Sequence, residues 1–482
     1  MTQLSMLIQG LYDLPNQADC DITGLTLDSR MLQPGELFLA CQGTQQDGRK
    51  FINDAVQKGA KAILAEATED QLYFHDNIPV IPIKNLNHQI SEIAARFYGH
   101  PAKSLNIIGV TGTNGKTSCS HFIAQALQQL TIPCGIIGTL GTGLYGALKG
   151  GSLTTPDAVT LQKTFAEFLN KGIQHVAMEV SSHSIDQGRV ENVPFIAGVF
   201  TNLTRDHLDY HGTMEAYGAA KRKLFENPLL QYSVINNDDA YGQQMLAMLP
   251  QQNKFTYGVK NKSAVSANHI ALDLSGIRAH VTSLWGEGQL QVGLIGQFNL
   301  HNILAVMTTL CLLKIPFETV LQSLSALSPV PGRMQTLGGK EKPLVVVDYS
   351  HTPDSLEKAL SALRPHCQGR LYCVFGCGGD RDRGKRPIMA KIAEQYADVV
   401  IVTDDNPRTE DPAQIAAEIM QGFSTSNQVI LQHDRSKAIR DVIQYAQAGD
   451  CILIAGKGAE TYQQIGDKKI PFSDIEKVKE SL

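Results

Sequence analysis

The chain has 482 residues, 43% of them hydrophobic and 18% charged, with a formal net charge of -5. That is more chain than one ordinary core holds, so two to four domains are expected, and the apolar content argues against disorder. The slight acidic excess argues against a broad nucleic-acid surface, though not against a local basic pocket for a small anion. Nine cysteines are scattered without paired spacing. Cys373 and Cys377 form a C-x-x-x-C with no second pair to close a zinc site, so they read as buried free thiols in a reducing compartment. The N-terminus lacks the basic start of a signal peptide, and no apolar run reaches the roughly 18 residues of a membrane helix. The expectation is a cytoplasmic chain without membrane insertion.

In chain order, residues 1–102 mix short apolar runs with turns (LTLDSR, GELFLAC, AKAILAE, PVIPI) around the helical FINDAVQKGA, which predicts a small α/β domain. GHPAKS (99–104) reads as a linker. A second domain, 103–335, opens on the strand LNIIGV, a glycine loop and the helical TSCSHFIAQALQQL. Strand runs QHVAMEV, FIAGVF and YSVIN follow, then the apolar helix NLHNILAVMTTLCLL and a Pro/Gly hinge, LSPVPGRMQ. In the third domain, 336–482, four strand runs each end in a polar cluster: PLVVVD into YSHTPDS, LYCVF into GCGGDRDRGKR, DVVIVT into DDNPRTEDP, CILIA into GKGAE. Helical segments between them predict a Rossmann-like, doubly wound parallel sheet with ligands beyond the carboxyl ends of its strands.

The glycine loop, GVTGTNGKTS at 109–118, departs from G-x-x-x-x-G-K-[ST]. Val110 stands where the first glycine belongs, and the nearest glycines are Gly109 and Gly112. At a strand-to-helix junction, the amides from Gly112 through Thr113, Asn114 and Gly115 to Thr117, with Ser118 behind them, could still wrap phosphate oxygens. Lys116 would neutralise β/γ charge and the Thr117 hydroxyl would ligate Mg²⁺. The bland alternative is a glycine turn that only joins strand to helix. Downstream, VAMEVSSHSIDQGRV offers Glu179, Ser181, His183, Gln187 and Arg189, and TNLTRDHLDYHG offers Asp206, His207, Asp209 and His211. Glu179 at a strand end suits a hard cation. His207 reads equally as a loop or core histidine, since imidazole is a soft choice for Mg²⁺. Lys221 by itself reads as a solvated helix lysine.

GVTGTNGKTS, MEVSSH, TNLTRDHLDYHG with YGAAK behind it, FNLHN and DYSHTPDSL together resemble the Mur ligase family, the ATP-dependent amide ligases that build the peptidoglycan stem peptide. The resemblance spans all three segments. It implies an α/β architecture of three domains: a small UDP-binding N-terminal domain, a central P-loop ATPase domain, and a C-terminal Rossmann-like domain for the incoming amino acid. It also implies the displaced loop glycine, a monomer, and a pair of Mg²⁺ ions. Lys116 and Thr117 match the phosphate lysine and a metal-site hydroxyl, Glu179 and His207 the magnesium ligands, and Lys221 a lysine that is carbamylated and so becomes an oxygen ligand. Lys116, His207 and Lys221 would be the catalytic set. Asn299 and Asn302 match residues near the adenine; Asp348 and His351 match interdomain contacts to the nucleotide. Arg333, at the hinge, is placed to reach phosphate after domain closure.

Within the family, DDNPRTED (404–411) resembles the motif of the members that add meso-diaminopimelate to UDP-N-acetylmuramoyl-L-alanyl-D-glutamate. Diaminopimelate carries a distal carboxylate that lysine lacks, and a guanidinium binds a carboxylate through a two-pronged fork. Arg408 is the candidate, with Asp405, Asn406 and Pro407 beside it, Arg381 as a second donor, and Gly456 and Glu460 for the distal ammonium end. Arg408 as a plain surface arginine at a helix N-terminus is the alternative. Leu27, Ser29, Thr44, Gln45 and Gln46 resemble the UDP-sugar contacts. Thr154, Thr155, Ser181, Gln187 and Arg189 would hold the muramoyl-peptide end. Two departures stand out: Leu153 sits where relatives often show Asn, and Ala459 where the GKG-x-E motif often has His. A lysine-adding relative, a folylpolyglutamate synthetase and a P-loop switch are the rival readings.

Overall fold

A computed structural model of the chain describes all residues except 1, 44, 45, 68–70, 152, 251, 274, 275 and 425–428. By backbone contacts the chain divides into two units. Met1–Thr111, Ile132–Gly198 and Ala220–Tyr232 form one; Gly112–Thr131, Val199–Ala219 and Ser233–Leu482 form the other.

The first unit opens on a five-stranded sheet ordered Leu25–Thr26, Leu37–Ala40, Ala62–Glu66, Ile78–Ile83, Tyr73–His75. Every pairing is parallel but the last. Alternation along the strands sorts their side chains into two cores. Leu37, Leu39, Leu64, Ile81 and Ile83 cluster with Ile90, Ile93 and Ala94 of helix Leu86–Phe97, while Phe38, Ala40, Ile63 and Val80 build the opposite face. The same unit holds three neighbouring parallel strands in the order Cys134–Gly138, His175–Glu179, Asn106–Thr111. Their near-continuous burial is what a parallel sheet covered on both faces requires. Glu179 ends the middle strand, so its carboxylate stands at the carboxyl edge.

In the second unit, Ser233–Asn236 of strand Tyr232–Asn236, Lys254–Gly258 and Val265–Asp273 pair in parallel and continue into an antiparallel ribbon, Gly276–Ser283 and Gly286–Val292. The predicted helices form as Lys116–Gln129 and Gln297–Leu312 and pack on each other. The C-terminal sheet runs Gln335–Gly338, Leu344–Asp348, Cys451–Ala455, Leu371–Phe375, Val399–Val402, Val429–Leu431, all parallel except the first pairing. All four predicted strands of this sheet are present. The order is new: the last, Cys451–Ala455, inserts between the first two and so brings the GKGAE loop in among the others. Sequence reading missed the ribbon, strand Val429–Leu431, and the hairpin of Tyr462–Ile465 with Lys468–Pro471. These are either short, like the three-residue VIL, or mix polar residues among the apolar ones. The nine cysteines are free, and Cys373 and Cys377 are buried as expected.

A buried ion pair ties the last helix to this sheet. Arg435 Nε and Nη2 donate to Asp474 Oδ1 and Oδ2 at 2.7 and 2.8 Å, both side chains are fully buried, and Nη2 also reaches the Ala455 carbonyl at 2.9 Å. Removing one partner strands a charge away from water, a loss of about 3–5 kcal/mol. Asp474→Ala is therefore expected to lower stability by about that much in urea unfolding followed by circular dichroism; a loss under about 1 kcal/mol, typical of a surface pair, would contradict it.

Candidate functional site

The glycine loop owes its shifted glycine to a close approach. Gly112 sits at φ +143°, and a Cβ there would lie 1.9 Å from Thr201 Oγ1. Gly115, at φ +87°, would put a Cβ 2.6 Å from Asn302 Oδ1. Both positions exclude side chains, whereas Val110 is a strand residue with its side chain in the core. Not every loop amide points at an open site: Thr113 N donates to Asn202 O at 2.9 Å and Asn114 N to Asn202 Oδ1 at 3.0 Å. Lys116 Nζ folds over the loop, donating to the Gly112 and Thr113 carbonyls at 2.8 and 2.9 Å. Arg333 Nη2 donates to Thr117 Oγ1 at 2.9 Å while its guanidinium lies 4.3 Å from the Tyr349 ring centre. Arg333 thus stands at the glycine loop.

Behind the loop, Asn302 Nδ2 donates to Asn299 Oδ1 at 3.3 Å, and Asn299 Nδ2 to the Ile295 carbonyl at 2.9 Å. Thr352 and Ser355 form a capping box on helix Pro353–Leu363, with Pro353 in its first turn. This cap presents Asp354, which accepts from Asn114 Nδ2 at 3.0 Å. A cavity of about 580 Å³ opens here, its lining including Asn114, Gly115, Ser118, Asn302, Arg333 and Asp348. Asp348 is buried and accepts from Met334 N at 2.7 Å and from Ser350 Oγ. Burial outweighs those bonds and raises its carboxyl above the usual range.

Asp206 is the electrostatic hub. His207 Nε2 lies 3.4 Å, His351 Nε2 3.5 Å and Lys385 Nζ 3.9 Å from its carboxylate. Burial opposes its charge, but the His351 hydrogen bond and the surrounding positive charges win and hold it well below the ordinary carboxylate range. Arg205 pairs with Asp382 at 2.9 Å beside it. Sequence reading passed over Lys385 and Arg205, although both stand inside runs it quoted, GCGGDRDRGKR and TNLTRDHLDYHG.

In the other unit, Glu179 is 1% exposed and accepts from Thr139 N at 2.8 Å and Thr139 Oγ1 at 3.1 Å. The muramoyl-peptide candidates gather around it. Thr155 Oγ1 donates to the Glu179 carbonyl at 2.8 Å and accepts from Ser181 N at 3.1 Å. Thr154 Oγ1 is 3.1 Å from Thr139 Oγ1. Arg189 donates to the Thr155 carbonyl at 2.8 Å and to Gln187 Oε1 at 2.5 Å. Lys221 is 1% exposed, which corrects its reading as a solvated helix lysine: the helix Met214–Arg222 turns this residue inward. Ser29 is buried, its carbonyl accepting from Lys58 Nζ at 2.9 Å, and Leu27 is half-buried. Gln46 is exposed, its carbonyl accepting from Gly43 N at 2.9 Å; Thr44 and Gln45 lie outside the described residues.

Among the described residues no three His, Cys, Asp or Glu side chains converge to hold a metal by themselves. The candidate donors are the Thr117 hydroxyl, the Glu179 carboxylate and the His207 imidazole, with Lys221 an oxygen donor only on the carbamylated reading. The hydroxyl and carboxylate oxygens suit Mg²⁺, and the His207 nitrogen is the softer member of the set.

At the C-terminal sheet, Asp405 and Asn406 are buried and Arg408 stands half-exposed in the left-handed region at φ 51°. Arg408 Nη1 donates to the Gly379 carbonyl at 2.7 Å. Its backbone is clamped by the terminal hairpin, through Arg408 N to Gln464 O at 3.0 Å and Gly466 N to Arg408 O at 2.7 Å. Arg381 is exposed and donates to the Asp380 carbonyl at 2.9 Å. Gly456, at φ +119°, would put a Cβ 2.6 Å from Asp405 Oδ2. Gly332 of the hinge fits under the Ala459 amide, which a Cβ would meet at 2.1 Å. Asn406 Nδ2 donates to Glu460 Oε2 at 2.9 Å. Arg386, fully buried, pairs with Glu410 and Glu418 and reaches the Gly378 carbonyl at 3.2 Å. It braces the two loops that flank Arg408, and its charge gave no sign of that in the sequence.

Family models match three consecutive stretches: "Mur ligase family, catalytic domain" over residues 21–98, "Mur ligase middle domain" over 110–310, and "Mur ligase, glutamate ligase domain" over 332–458. The chain belongs to the Mur ligase family. A protein of Coxiella burnetii named UDP-N-acetylmuramoyl-L-alanyl-D-glutamate–2,6-diaminopimelate ligase is 51% identical to this Mur ligase over 98% of both chains. One of the same name from Ectopseudomonas mendocina is 53% identical over 96% of this chain and 95% of its own. A solved structure of a ligase with that name aligns at a TM-score of 0.68 and 36% identity, covering 95% of this chain and 94% of the other. The α/β fold read from the strand-end clusters is thus the Mur ligase fold. No helix among the described residues is long and apolar enough to cross a membrane.

Proposed function

We propose that this Mur ligase adds meso-2,6-diaminopimelate to the D-Glu γ-carboxylate of UDP-N-acetylmuramoyl-L-alanyl-D-glutamate, converting ATP to ADP and phosphate, in peptidoglycan synthesis. The observation that carries the reading is near full-length identity of about half with two ligases of that name. On this reading the domains are 1–102 for the UDP-sugar, 103–335 for ATP and 336–482 for the amino acid. The enzyme works as a cytoplasmic monomer.

A carboxylate is a poor acyl donor because its leaving group would be oxide. Attack of the γ-carboxylate on the ATP γ-phosphorus forms an acyl phosphate and releases ADP. The amine of diaminopimelate then attacks the acyl carbon, phosphate departs, and the amine's proton is given up. Lys116 holds the charge on the transferring phosphoryl group, Arg333 supports it from the hinge, and Asn299, Asn302, Asp348 and His351 form the nucleotide side. Thr117, Glu179, His207 and a carbamylated Lys221 would hold two Mg²⁺ ions, which supply charge neutralisation at the phosphates. Carbamylation suits a lysine as buried as Lys221, since it replaces the ammonium with an oxygen donor. Leu27, Ser29, Thr44, Gln45 and Gln46 take the UDP-sugar, Thr154, Thr155, Ser181, Gln187 and Arg189 the peptide end, and the loops carrying Arg381, Arg408, Gly456 and Glu460 the diaminopimelate.

Phosphate release from ATP is expected only when the UDP-muramoyl dipeptide and diaminopimelate are both present, with lysine a poor replacement. Preference for lysine would reject the assigned amino acid. ADP release driven by folate would reject the reading outright.

A further inference from the structure

Lys457 is the lysine of GKGAE, and its side chain is fully buried. A buried ammonium demands a complete set of acceptors. Here Nζ donates to Asn406 Oδ1 at 3.0 Å and to Glu460 Oε2 at 2.9 Å, and it lies 5.6 Å from the centre of the Tyr462 ring. The amide of Asn406 is thereby oriented. Its Oδ1 accepts from both Lys457 Nζ and Gln464 N, the latter at 2.9 Å, so its Nδ2 turns to Glu460 Oε2 at 2.9 Å. Two donors therefore converge on one oxygen of Glu460. Its other oxygen stands apart from them, on a side chain that keeps 21% of its surface exposed.

We infer that Lys457 is a positioning residue for amino-acid selection: it holds Glu460 in the one rotamer that presents Oε1 to an ammonium group on the incoming amino acid. Lys457 does not touch that amino acid. It acts by occupying Oε2, locking the Asn406 amide, and countering the Glu460 charge when no ligand is bound. Without it Glu460 can rotate between oxygens, and the ammonium end of the substrate loses its fixed acceptor. The inference rests on the diaminopimelate reading and deepens it.

The test is a competition in one vessel between meso-diaminopimelate and 2-aminopimelate, which lacks the distal amine, with products separated by chromatography. The ratio of kcat/KM values does not depend on how much enzyme is folded. The wild-type chain is expected to favour diaminopimelate, and Lys457→Met to reduce that preference by about tenfold or more, the worth of one charge-assisted hydrogen bond. KM for ATP is expected to stay within about twofold, since the nucleotide-side residues are untouched. Lys457→Gln, which keeps a donor without the charge, serves the same comparison if the methionine variant does not fold, with an intermediate loss expected. In a Glu460→Gln background the Lys457 change is expected to have little further effect on the ratio. An unchanged ratio in the single variants overturns the inference, as does a full additional loss in the double variant. If the wild-type chain does not use diaminopimelate at all, the functional reading fails first and this inference with it.

Discussion

Arg408→Ala is expected to raise KM for diaminopimelate by about a hundredfold or more while leaving KM for ATP and for the UDP-muramoyl dipeptide near wild type. The magnitude follows from truncating one partner of a desolvated charge pair, about 2–5 kcal/mol. The geometry supports a binding role over a surface one. The residue sits at φ 51°, a conformation L side chains avoid. It is held there by hydrogen bonds to Gln464 and Gly466 on the terminal hairpin. One guanidinium donor is already used on the Gly379 carbonyl, which fixes the plane of the fork and leaves Nε and Nη2 to face a carboxylate. Arg408→Lys should recover little, because an ammonium keeps the charge without the fork. Steady-state kinetics with each substrate varied in turn decides the matter. Equal losses for all three substrates, or none, would remove Arg408 from the amino-acid site.

Lys116→Ala is expected to lower kcat by about a hundred- to a thousandfold, the range seen when one preorganised electrostatic stabiliser is removed. Lys116 Nζ rests on the Gly112 and Thr113 carbonyls, so the ammonium is already held over the loop. Arg333 and Thr117 are joined next to it. ATP binding, measured by calorimetry, should weaken far less than turnover, because the charge is needed most as the phosphoryl group transfers. A drop in affinity equal to the drop in rate would make Lys116 a ground-state anchor only.

Much of the site was legible because its chemistry sits at the ends of apolar strands. Glu179 closes HVAME, Asp348 closes LVVVD, and DNPR follows VVIV; a sheet that buries its strands leaves its polar residues at that edge. Lys116 and Thr117 were legible from glycine spacing at a strand-to-helix junction. The resemblance to Mur ligases added roles for His207 and Lys221 that the residues alone did not carry. Lys457, Lys385, Arg386 and Asp354 were not legible. Each is a charged residue in a polar loop or near a helix start, and a charge run reads as solvated until something is seen to pack over it.

Composition and pattern by themselves determined the α/β class, the strand–glycine loop–helix unit and the strands of the last sheet, because hydrophobic periodicity and glycine placement are local properties of a chain. Only the tertiary structure decided which loops meet. Inserting Cys451–Ala455 between two earlier strands brings GKGAE against DDNPR, so that Lys457 bonds Asn406 across 51 positions of sequence. Tertiary packing likewise buries Lys221 in the first unit and, in the second, assembles Asp206 with His351 and Lys385. Strand order and the burial of single charged side chains are set by contacts between distant segments, which a local hydrophobic pattern does not encode.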